Sequence, residues 1–138
     1  MQRRAFLLST AAAAALVTTG AQAGVGTAYT PGLVEKELAA GKTVFLDFAA
    51  TWCTTCRAQE RTITALMNEN PAYGQAITFI NVDWDQYRTA PLTQRLNIPR
   101  RSTLVVLKGD QELGRIVAGT GRAVIQELMD TALSAATA

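Results

Sequence analysis

Two rhythms of apolar and polar positions alternate along this chain. Thr43-Val44-Phe45-Leu46-Asp47-Phe48 is a continuous apolar run broken by one acid, which predicts a strand buried on both faces. Ala76 to Val82 reads the same way. Thr103 to Lys108 and Glu112 to Ala118 predict two further strands, joined across Gly109-Asp110 as an antiparallel hairpin. Between the strands the spacing turns helical. Cys53 to about Asn68 sets Ile63, Leu66 and Met67 among charged residues, an amphipathic helix that stops before Asn70-Pro71. Val124, Ile125, Leu128, Met129, Ala132 and Leu133 make one face of a last helix, with Thr120 as its cap. Thr30-Pro31, then Leu33, Val34, Leu38 and Gly41, predict a short helix with an N-cap, a first-turn proline and a glycine stop. Asp85 to Leu96 reads as loop and short helix, broken by Pro91.

Strands alternating with helices and closed by a hairpin predict an α/β fold, a central mixed sheet of about four strands with helices on both faces.

The first residues belong to a different pattern. Met1-Gln2-Arg3-Arg4 is basic, Ala5 to Thr19 is apolar and alanine-rich, and Ala21-Gln22-Ala23 is a small-residue cleavage site, so residues 1–23 read as a signal peptide. The apolar run is short for a bilayer span, which sets an uncleaved membrane anchor second. Arg3-Arg4-Ala5-Phe6-Leu7 also resembles a twin-arginine signal, with Leu8 where a lysine is common. Both the twin-arginine and the ordinary secretory route end outside the cytoplasm. The expected mature protein is a single domain, residues 24–138, in a bacterial periplasm, where disulfides persist.

Composition narrows the function. The net charge of +2 over 138 residues is scattered, with only Arg100-Arg101 clustered in the expected mature part, so neither nucleic acid nor an extended membrane face is expected as partner. The chain has two cysteines, Cys53 and Cys56, and no histidine. A structural disulfide closing so short a loop contributes little stability. Structural zinc wants four ligands, so two thiols would serve only a metal shared between two molecules, and haem attachment wants a histidine where Arg57 stands. Redox chemistry is the reading left. At the first turn of a helix, unpaired N–H groups and the dipole favour the Cys53 thiolate and lower its pKa. Cys56, one turn on and shielded, would resolve the mixed disulfide that Cys53 forms.

The run Val44-Phe45-Leu46-Asp47-Phe48-Ala49-Ala50-Thr51-Trp52-Cys53-Thr54-Thr55-Cys56 resembles the thioredoxin superfamily, over about Leu33 to Leu133. It is nearest to exported members, including the periplasmic thioredoxin-like domain of the transmembrane disulfide reductase. The resemblance implies a thiol–disulfide oxidoreductase, more a reductase than an oxidase, in which Cys53 attacks and Cys56 resolves. It implies Asp47 as the buried acid serving Cys56, and Trp52 as the aromatic beside the reactive sulfur. It also implies no cofactor or metal beyond the cysteine pair, protein or small-molecule disulfides as substrates, a membrane thiol reductase as a possible electron donor, and a monomer.

Three departures stand out. Phe79 occupies the place where the family often has a lysine near the acid. Thr54-Thr55 matches neither the Gly-Pro of cytosolic thioredoxin nor the Pro-His of the periplasmic oxidant. Ser102, rather than a cis-proline, precedes Thr103 and its strand, with Pro99 three residues early. A cis bond before serine costs about 2.5–4 kcal/mol, against about 0.5–1 before proline. The loop is therefore either held cis by the fold or trans with another shape. Arg101, Ser102 and Thr103 are the expected substrate contacts, with Ser102 placing a hydroxyl near the sulfurs and altering access for a substrate or metal. A binding module that never turns over is the rival reading, as is a disulfide oxidant.

Overall fold

The computed structural model describes residues 25–138, so the signal-peptide reading of residues 1–23 lies outside the described residues. Strand β2 (Thr43–Ala49) is the spine: all seven of its residues are buried, as a continuous apolar run demands. It lies between parallel β3 (Thr78–Asp83) and antiparallel β4 (Thr103–Lys108). β5 (Gln111–Val117) pairs with β4 across the predicted hairpin, and a two-residue β1 (Thr27–Ala28) runs parallel to β3. The sheet order is β1-β3-β2-β4-β5, five strands where about four were expected.

Helices cover both faces. On one lie α2 (Thr54–Glu69), α3 (Ala72–Ala76) and α6 (Arg122–Ala136), closing over Phe45, Phe79, Leu104 and Val106 with Ile63, Leu66, Ile125 and Met129. On the other lie α1 (Leu33–Ala39), α4 (Trp84–Tyr87) and α5 (Pro91–Arg95), over Leu46, Phe48, Ile80 and Val105. Each large side chain so buried contributes about 1.5–3 kcal/mol before entropy is subtracted.

The termini of the helices differ from the sequence expectation. Gly32, at φ 89°, caps α1, and Thr30 and Pro31 stand before it; Thr30 contributes only its carbonyl, to the Leu33 N–H. Gly121 caps α6 with no side-chain bond, Thr120 is outside it, and Val124 is half exposed rather than core. Pro91 opens α5 rather than breaking it, since a proline lacks only an N–H that the first turn would leave unpaired. Pro71 likewise begins α3, an element the sequence reading missed. Gly26 lets the chain into β1: its φ is 92°, and a Cβ there would meet Phe79 O at 2.3 Å.

Candidate active site

Parallel and antiparallel pairing bring three strand ends together. Ala49 ends β2 opposite Asp83 at the end of β3, while Phe48 faces Thr103 at the start of β4. The turn Ala50–Cys53, the loop Arg100–Ser102 and the start of α4 thus meet at one corner of the sheet.

Cys53 is the N-cap of α2: its Sγ accepts the Cys56 N–H at 3.1 Å, one of the donors a helix start leaves unpaired. Cys53 and Cys56 form a disulfide. The outer sulfur was expected to be reachable and the inner one covered. Both are buried, Cys53 at 2% and Cys56 at 1% exposure, because the cap geometry folds Cys53 inward onto Ala49 and Ala50, with Trp84 packed alongside.

Ser102 closes the other side. Its Oγ lies 3.1 Å from Cys53 Sγ and 3.2 Å from Cys56 Sγ. No cis peptide occurs among the described residues, so the bond before Ser102 is trans, and Ser102 instead takes φ 64°. A left-handed non-glycine residue costs about 1–3 kcal/mol and persists where its surroundings over-determine it. Here they do. The Ser102 N–H donates to Phe48 O at 2.7 Å, and its carbonyl accepts from the Ala118 N–H at 2.9 Å and from Gln59 Nε2 at 3.0 Å.

Gln59, fully buried on α2, was not singled out from the sequence. Its Nε2 also donates to Gly119 O at 2.9 Å, tying the serine loop to the turn before α6. A signal for it existed: Cys56, Gln59, Ile63 and Leu66 fall on one helical face.

Trp52, 52% exposed, donates Nε1 to the Asp85 carboxylate at 2.9 and 3.1 Å, and the Arg101 guanidinium lies 4.5 Å over its ring. The side chain of Thr103, an expected substrate contact, is turned away from solvent. It is fully buried and its hydroxyl donates to Arg100 O at 2.7 Å, bracing the loop. The Arg101 carbonyl, the expected strand contact for substrate, accepts from Arg100 Nε at 3.1 Å.

Asp47 faces the side of the sheet that α2 covers, in register with Asn81 and Leu104. Among the described residues, neither carboxyl oxygen has a hydrogen-bond partner. Burial, then the charge of Glu60 on α2, push its pKa up to about 7, and the Val25 amide, short of a well-formed bond, offsets little of it. Phe79, where a lysine was looked for, packs its ring 4.9 Å from Phe45. A carboxyl that titrates near neutrality can take and return a thiol proton. Among the described residues, no group of three or more His, Cys, Asp and Glu gathers as a metal site.

A cysteine pair capping a helix that follows a buried central strand, with a buried acid on that strand, defines a thiol–disulfide oxidoreductase of thioredoxin fold. Residues 29–131 match the thioredoxin family model, and the chain belongs to that family. The thioredoxin of Mycobacterium tuberculosis (strain ATCC 25618 / H37Rv) is 33% identical over 94 residues, 67% of this chain and 77% of that one. The thioredoxin of Echinococcus granulosus is 28% identical over 96 residues, 70% of this chain and 83% of that one. Among solved structures, Trxlp from Edwardsiella tarda EIB202 superposes with a TM-score of 0.66 at 27% identity, covering 76% of this chain and 98% of that one.

Proposed function

We propose that this protein is an exported reductase of protein disulfides, acting in the periplasm with electrons drawn from a membrane thiol reductase. The observation that carries the direction is the surroundings of the sulfur pair. Both sulfurs are buried against Ala49 and Ala50, and Asp47 lies within the same sheet with no partner among the described residues. Reduction there creates a thiolate with little solvent to stabilise it. The disulfide is favoured over the charged dithiol, so the dithiol gives up its electrons readily. Strong oxidants of this class work the other way, by stabilising their reduced form.

In the reaction, the Cys53 thiolate attacks a substrate disulfide and releases one substrate thiolate. Asp47 takes the Cys56 proton. Cys56 then attacks Cys53 Sγ, restoring the internal disulfide and releasing the second substrate thiolate. The basic, apolar and Ala-x-Ala segments of residues 1–23 support export.

A second reading, a disulfide oxidant, draws on the Cys56 N–H and Ser102 Oγ that approach Cys53 Sγ, since donors there favour its thiolate. Equilibration with glutathione buffers separates the two. A potential near −270 mV belongs to a reductant and one near −120 mV to a strong oxidant. A Cys56→Ser variant should capture periplasmic proteins as mixed disulfides on Cys53. No captured protein, together with no reduction of a disulfide substrate by the wild type, would refute the enzyme reading and leave a binding module.

A further inference from the structure

Every backbone polar group of Ser102 is engaged without help from its side chain. The N–H reaches Phe48 O, and the carbonyl receives the Ala118 N–H and Gln59 Nε2. A glycine would hold φ 64° without strain and keep all three bonds. The serine hydroxyl must be explained by its partners, and among the described residues those within hydrogen-bond distance are the two sulfurs, at 3.1 and 3.2 Å. A hydroxyl has one proton to give and lone pairs to receive, so it can donate to one sulfur while accepting from the other.

We propose that Ser102 is a catalytic residue of the exchange reaction, its hydroxyl donating to whichever of the two sulfurs carries the negative charge. This rests on reading the pair as a working dithiol. In the resting dithiol the hydroxyl donates to the Cys53 thiolate and accepts from Cys56 S–H. When Cys53 attacks a substrate R–S–S–R′, the Cys53–S–R bond forms, the substrate S–S bond breaks, and R′S⁻ leaves with the electron pair to be protonated by water. Cys53 is then neutral. The hydroxyl turns to Cys56 and supports its thiolate once the proton has passed to Asp47. Attack of Cys56 on Cys53 Sγ forms the internal disulfide and expels RS⁻. Two electrons have moved from protein to substrate.

The test is Ser102→Gly beside the conservative Ser102→Thr, read in purified protein with no substrate present. The charged groups around the pair are Asp47 on β2, Arg57 and Glu60 on α2, Asp83 and Asp85 at the start of α4, and Arg100 and Arg101 in the loop; all are unchanged in both variants. Ser102→Gly should raise the pH midpoint of Cys53 alkylation by iodoacetamide by about one unit, the scale of one hydrogen bond to a charged group. It should move the equilibrium with glutathione about tenfold toward the disulfide, which is about 30 mV. Ser102→Thr should restore most of both. Thermal unfolding of the glycine variant at or above the wild-type temperature shows the fold intact. An unchanged alkylation midpoint and glutathione equilibrium in Ser102→Gly overturn the proposal, as does a threonine variant that behaves like glycine. Neither measurement involves a protein substrate. A failed capture by Cys56→Ser together with no disulfide reduction by the wild type, beside an intact alkylation shift, would therefore end the reductase reading and leave the hydroxyl's support of the thiolate standing.

Discussion

The Gln59 side chain donates one hydrogen bond to Ser102 O at 3.0 Å and another to Gly119 O at 2.9 Å, so a single residue of α2 fixes both loops that flank the sulfurs. Replacing it with leucine, of similar volume, removes both donors and leaves the partly buried Gly119 carbonyl without this partner. The expected loss is about 1–3 kcal/mol, measured by urea unfolding. Unchanged stability would mean that the two loops are held by other means.

Asp47 makes stability depend on pH. Folded, it releases its proton near pH 7; unfolded, near its ordinary 3.8. Between those values the folded state binds a proton that the unfolded state has lost, so the contribution of Asp47 is most favourable below about pH 4, weakens as pH rises, and levels off above 7. Asp47→Asn should stabilise the protein at pH 8 by on the order of 3 kcal/mol and far less at pH 4. It should also slow the release of substrate from the Cys53 mixed disulfide. Equal gains at both pH values would contradict a buried, neutral-pH acid.

Ser102→Pro places at this position the residue the family usually carries. Proline fixes φ near −65° and has no N–H, whereas Ser102 sits at φ 64° and donates to Phe48 O. A loss of at least about 3 kcal/mol is expected in thermal or denaturant unfolding. A proline variant as stable as wild type would show that the loop can rebuild around a different backbone.

The Arg101 guanidinium over the Trp52 ring should register as a coupling of about 0.5–1 kcal/mol, since both groups are partly wet. A cycle of Arg101→Ala, Trp52→Ala and the double variant measures it by denaturant unfolding. Additive effects would mean the stacked pair carries no energy of its own.

Much of the architecture could be read from sequence because β2 and β4 are buried nearly throughout, and only continuous apolar runs can occupy such places. β1 could not be read: two residues carry no periodicity, and Thr27–Ala28 is a strand only because β3 offers it an edge. Thr30 and Thr120 do not cap their helices because Gly32, two residues on from the first, and Gly121, next to the second, take the cap positions without a hydroxyl. Thr103 was read as facing substrate because its place in the chain is next to the loop; the pleat of β4 turns it inward instead. The trans form of the serine loop depends on Gln59, Phe48 and Ala118 acting together from three separate elements. No local stretch of sequence contains that arrangement.

The equal depth of the two sulfurs bears on speed as well as energy. With Cys53 at 2% and Cys56 at 1% exposure, little of either residue meets solvent, so a small thiol should reach the sulfurs slowly unless the surrounding loops part. Reduction by dithiothreitol should therefore stop accelerating once the reagent is abundant, the plateau being the rate at which the corner opens. A partner that can pry Trp52 and Arg101 apart as it docks would bypass that wait. A donor that reached the sulfurs only by docking at this corner would be selected by its fit before any chemistry began.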